Sequence, residues 1–93
     1  MGYTSESLLH SLPWAEEDPR NNTAPATALG MYVARLKGKS YTEVTVGEVQ
    51  QIFASAHENG GQLPRIRNFG QKSLGKTYNV FGRVGIELAQ VRV

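Results

Sequence analysis

The stretch Thr45–Gly61 is marked as a helix at both ends, and this limits what the rest of the chain can do. Thr45-Val46-Gly47-Glu48 is a capping box. In such a box the Thr hydroxyl accepts from a backbone N–H of the first turn, and the Glu carboxylate reaches back to the Thr N–H. Val46, Val49, Ile52, Phe53 and Ala56 then recur on one helical face. Asn59-Gly60-Gly61 closes the segment, because glycine enters the left-handed C-cap conformation cheaply. A helix with one apolar face needs other elements to cover it.

The elements available are mostly helical. Leu29, Tyr32, Val33 and Leu36 stand at i, i+3, i+4 and i+7, which predicts a helix over about Ala26–Leu36. Thr23 and Pro25 read as its start and Gly38 as its stop. A last helix is expected from Lys72 to Arg83 with Leu74, Tyr78 and Phe81 inward. Gly75 and Gly82 weaken it by about 1 kcal/mol each relative to alanine. Between these, Lys39–Val44 is expected as an extended loop, Gln62–Asn68 as a short helix or turn, and Phe69-Gly70 as a tight turn. The tail Ile86–Val93 fits either helix or extended chain. The fold class expected is all-α: a compact domain of four to five helices over residues 26–93.

Residues 1–25 are expected to be a flexible acidic appendage. Leu8, Leu9 and Leu12 suit one short helix, capped by Thr4 or Ser5 and stopped by Pro13. The following Glu16–Asn22 stretch is too polar to offset its ordering entropy by burial. Trp14 is the exception and is expected to pack back on the domain.

Charge is segregated. Residues 1–20 carry Glu6, Glu16, Glu17 and Asp18 against Arg20, a net charge of −3. Residues 59–93 carry Arg65, Arg67, Lys72, Lys76, Arg83 and Arg92 against Glu87, a net charge of +5. A basic C-terminal third suits a polyanionic partner. With no cysteine, the chain has no disulfide, zinc–thiolate site or thiol nucleophile. No apolar run approaches the roughly 18–20 residues that span a bilayer, so no membrane association is expected. Met1–Leu12 lacks the basic and long apolar regions of a signal peptide, so a cytoplasmic protein is expected, with the Asn21-Asn22-Thr23 sequon idle.

The segment with chemistry to offer is Leu63–Leu74. A glycine turn at Gly70 leads into a helix whose free N–H groups and dipole favour an anion. Lys72 and Ser73 add a charge and a hydroxyl at that end. Gly70 permits an unusual dihedral there and lets another backbone approach closely.

The longer string Arg65-Ile66-Arg67-Asn68-Phe69-Gly70-Gln71-Lys72-Ser73-Leu74 resembles the helix-hairpin-helix signature of the C-terminal domain of the bacterial RNA polymerase α subunit. The Thr45-Val46-Gly47-Glu48-Val49 start is also similar to that family, and the resemblance spans about residues 43–86. It implies a free-standing or divergent relative, or an excised domain. Such a domain binds the DNA backbone beside an A-tract minor groove, in transcription and at the nucleoid. Asn68, Gly70, Lys72 and Ser73 match family positions at the DNA surface. Arg65 and Arg67 are added to the expected DNA-binding residues by their charge and place in this segment.

The departures shift other roles. By the family's spacing, Met31 and Ala34 stand where it has an Arg and an Asn that enter the minor groove, so Arg35 or Lys37 is expected to substitute. Lys76 replaces an acidic residue and joins the expected DNA-binding set. The alternative expectation is a protein-interaction module of the same fold, docking on RNA polymerase or a transcription regulator. A further option is an acidic head that covers the basic surface in cis.

Nothing meets the geometric requirements of catalysis. His10 is expected in a mobile head and His57 near a helix end, both as surface residues. Glu16, Glu17 and Asp18 read as a solvated patch rather than a cation site. A non-catalytic module without metal or cofactor is expected.

Overall fold

A computed structural model describes residues 2–17 and 24–93 of the chain. Among these are α1 (Trp14–Glu17), α2 (Ala24–Lys37), α3 (Val46–Glu58) and α4 (Gln71–Arg83), with 3-10 turns at Leu9–Ser11 and Tyr41–Glu43. Two isolated bridges, Leu8 with Thr45 and Gln62 with Arg92, are the only β pairing among the described residues. The architecture is all-α, with a radius of gyration of 12.0 Å, as expected of a compact chain of this length.

The capping box forms as read. Glu48 Oε1 accepts from Thr45 N at 2.9 Å, and Thr45 Oγ1 accepts from Glu48 N at 3.4 Å. Val46, Val49, Phe53 and Ala56 are buried and Ile52 is half-buried. Gly60 and Gly61 take φ of 104° and 81° past the helix end. Across the core, Phe53 meets Tyr78 of α4 edge to face at 6.0 Å between centroids.

Three side chains of the N-terminal segment are packed into the core, where an appendage with only Trp14 packing back was expected. Leu9, Leu12 and Trp14 are buried, and Trp14 lies edge to face on Phe81 at 6.4 Å. The Trp14 indole N–H donates to Leu9 O at 2.8 Å. The chain is tied to the start of α3 through Leu9 N to Val44 O, Val46 N to Ser7 O and Gly47 N to Ser5 O, at 2.7–2.9 Å. These ties satisfy backbone groups that a free segment would leave to water. The expected helix around Leu8–Leu12 is only a 3-10 turn, and Pro13 precedes α1, where its missing N–H costs nothing. Thr23 and the Asn21 sequon lie outside the described residues.

Three other expectations are corrected. Lys39–Val44 is not extended: Tyr41–Glu43 is a 3-10 turn with its own capping box from Ser40 to Glu43. The buried face of α2 is carried by Ala26, Leu29, Gly30 and Val33, while Leu36 is exposed. Part of this face is covered by His10 and Tyr41, which pack over Gly30. His10 is therefore no surface residue of a mobile head: it is half-buried, and its Nε2 is enclosed without a hydrogen-bond partner.

The tail is extended and straps α3 to α4. The Tyr78 hydroxyl donates to Ala89 O at 2.8 Å and accepts from Val91 N at 2.9 Å. From α3, Gln50 Nε2 donates to Glu87 O at 2.9 Å, and the His57 ring lies 2.7 Å from Gln90 O.

Candidate nucleic-acid interface

The approach to α4 is built from residues 62–70. Leu63 N donates to Arg92 O and Arg92 N to Gly61 O, both at 2.8 Å, so this stretch spends backbone hydrogen bonds on the tail rather than on a helix. Pro64 supplies no N–H at all. The chain stays extended to a turn in which Phe69 N donates to Ile66 O at 3.2 Å. The turn is thus centred on Arg67-Asn68 rather than on Phe69-Gly70. Ile66 and Phe69 are buried and anchor both sides of it.

The unusual dihedral sits at Asn68, not Gly70. Asn68 has φ of 62°, a left-handed conformation that asparagine tolerates better than most residues. Gly70 is extended, with φ of −108° and ψ of −162°, and a Cβ there would meet nothing within 4 Å. The dihedral freedom that glycine permits is therefore not used at this position. Gly70 acts as the N-cap of α4, with no side chain to satisfy the helix N–H groups and no acidic residue in the first turn. Unsatisfied N–H groups at this end make a positive pole.

The cations group around that pole. Arg65, Arg67, Asn68, Gly70 and Lys72 are exposed, and Ser73 and Lys76 are half-buried. Lys72 and Lys76 stand one turn apart on α4. The Ser73 carbonyl accepts from the Thr77 hydroxyl at 2.8 Å, which ties the first turn of α4 to the second. From α2, Arg35 reaches the same region: Arg35, Arg65, Arg67 and Asn68 line one groove with Met31. Met31 is 48% exposed at its edge, and Ala34 is half-buried.

Lys37 does not join them. Its Nζ lies 3.9 Å from Glu48 Oε2, and Lys39 Nζ lies 2.7 Å from Glu48 Oε1. Burial pushes the Glu48 carboxyl up, but the Lys39 ammonium and the Thr45 N–H outweigh it and hold the group below its ordinary value. Of the two substitutes expected on α2, Arg35 is the one that lines the groove.

The acidic head meets the basic third elsewhere. Glu16 Oε1 lies 3.6 Å from an Arg83 nitrogen, at the C-terminal end of α4. That is roughly 16 Å along the helix from Lys72 at 1.5 Å per residue. This pair lies away from the Gly70–Ser73 surface.

Compared with protein families, curated proteins and solved structures, the chain gives no match in any of the three. Among the described residues no group of His, Asp or Glu is placed to hold a metal ion, and no helix is long and apolar enough to cross a membrane.

Proposed function

We propose that the chain is a non-catalytic DNA-binding module of helix-hairpin-helix type, similar to the C-terminal domain of the RNA polymerase α subunit. It contacts the phosphate backbone beside the minor groove and acts in transcription, in the bacterial cytoplasm. The observation that carries this reading is the uncapped N-terminus of α4, which follows a left-handed Asn68 and is flanked by Arg65, Arg67, Lys72 and Ser73. Backbone N–H groups at a helix start, a hydroxyl and several cations are what a phosphodiester requires. Arg35 adds a cation from the opposite wall, where the family's first-helix contacts are replaced by Met31 and Ala34.

An A-tract narrows the minor groove and deepens its negative potential, which draws arginines. Fluorescence anisotropy with an A-tract duplex and a GC-rich duplex, each at two salt concentrations, tests the reading. Salt-dependent binding that favours the A-tract is expected, because each neutralised phosphate releases counterions. Absence of binding to either duplex at low salt would overturn it.

A further inference from the structure

Between α2 and the Arg67–Asn68 turn lies a groove of about 770 Å³. Its chemistry is mixed in a way that the DNA reading does not use. Met31, Tyr32 and Leu36 give it an apolar wall, and Arg35, Arg65 and Arg67 are its cations. Met31 is 48% and Leu36 61% exposed, so two large apolar side chains of α2 lie open beside three arginines. No carboxylate lines the groove among the described residues. Met31 and Arg35 are one turn apart, as are Tyr32 and Leu36, so along α2 the cation follows Met31 on one row and the apolar pair forms the row beside it.

A phosphate backbone would engage the arginines and gain nothing from Met31 or Leu36. The geometry points to a second ligand class for this groove: an acidic peptide segment carrying large apolar anchors one helical turn apart. The anchors bury against Met31, Tyr32 and Leu36, in the manner of an amphipathic helix laid in a groove. The carboxylates meet the guanidinium forks, which suit paired N–H···O contacts. Arg65 and Arg67 also belong to the proposed phosphate surface, so such a peptide and a duplex would exclude one another at this edge.

The test uses anisotropy of the full chain with a short labelled peptide rich in Asp and Glu, bearing Leu and Phe one turn apart. The control is the same peptide with Ser at both anchor positions. The anchored peptide is expected to bind about a hundredfold tighter, the low end of the effect of burying two large apolar side chains. The double substitution Met31→Ser, Leu36→Ser should abolish that preference; both residues are exposed, so the fold should stand. Lys72→Ala should leave peptide binding unchanged. Equal affinity for the two peptides, or a double variant that binds like the parent, would overturn the inference. So would duplex binding weakened by Met31→Ser, Leu36→Ser when neither peptide binds, since the groove would then belong to nucleic acid. A chain that binds the anchored peptide but neither duplex supports the groove and removes the DNA reading alone.

Discussion

The carbonyl of Ser5 accepts from Gly47 N at 2.7 Å and lies 3.0 Å from where a Cβ of residue 47 would sit. The glycine inside the capping box is thus what lets the N-terminal segment cross the start of α3. Gly47→Val is expected to push Ser5 away and lower stability by about 1–3 kcal/mol, the usual cost of overpacking. Urea unfolding followed by Trp14 fluorescence measures it. A variant as stable as the parent would mean that the crossing is not tight.

Gly75 is the opposite case. It stands inside α4 on an exposed face, and a Cβ there would meet nothing within 4 Å. Gly75→Ala is expected to raise stability by about 1 kcal/mol through helix propensity alone. A calorimetric melt that moves down rather than up would show a contact at this face.

His10 should make the protein sensitive to mild acid. Burial lowers its pKa from the ordinary 6.5, with Gly30 and the Tyr41 ring packed against it. The folded state then favours the neutral ring. The stability it contributes is complete above the unfolded pKa and is lost as pH falls through the folded one. The melting temperature should drop as pH falls below the ordinary histidine value, and His10→Phe should flatten that drop. An equal slope in the variant would assign it to another group.

Glu48 acts in a lower window. Its depressed pKa gives stability that is present above the unfolded carboxylate value and lost as pH falls through the folded one. Glu48→Gln keeps the size, weakens the cap and removes both lysine pairs. It is expected to cost about 1 kcal/mol at neutral pH and to reduce the acid loss below about pH 5. Parallel denaturation series at neutral and acid pH would check both halves.

On the proposed DNA surface, Lys72→Ala and Arg67→Ala should weaken binding similarly for every sequence and reduce the salt slope by about one each. Lys37→Ala should change affinity little, because Lys37 is directed at Glu48. The reverse ranking in a salt titration would move the interface to the far side of α2.

The parts of the fold legible in the sequence are those fixed by neighbours in the chain. Thr45, Glu48 and Gly60 set the ends of α3 through contacts within a few residues, and the apolar spacing between them did the rest. The second capping box was also written locally, as Ser40-Tyr41-Thr42-Glu43, but the β-branched content of the stretch pointed to extended chain. The tail is different. Its partners Gln50, His57 and Tyr78 stand 11 to 37 residues away, and no local pattern announces them. The burial of Leu9 and Trp14 likewise depends on ties to Val44–Gly47. At the site, the run Arg65–Ser73 was readable as one basic, turn-containing segment. The arrival of Arg35 across a groove was not, because it depends on how α2 packs.

The strap across α3 and α4 also sets the order in which the molecule can be completed during synthesis. A nascent chain that has released α4 but not residues 86–93 carries Tyr78 with its two backbone partners still inside the ribosome. Gln62–Leu63 has no strand to pair with at that moment. The closures between Arg92 and Gly61–Leu63 join residues far apart in the sequence, and contacts of that kind slow folding. The approach to α4, and with it the arginines of the candidate interface, is held in shape by a stretch of chain that lies beyond α4 in the sequence.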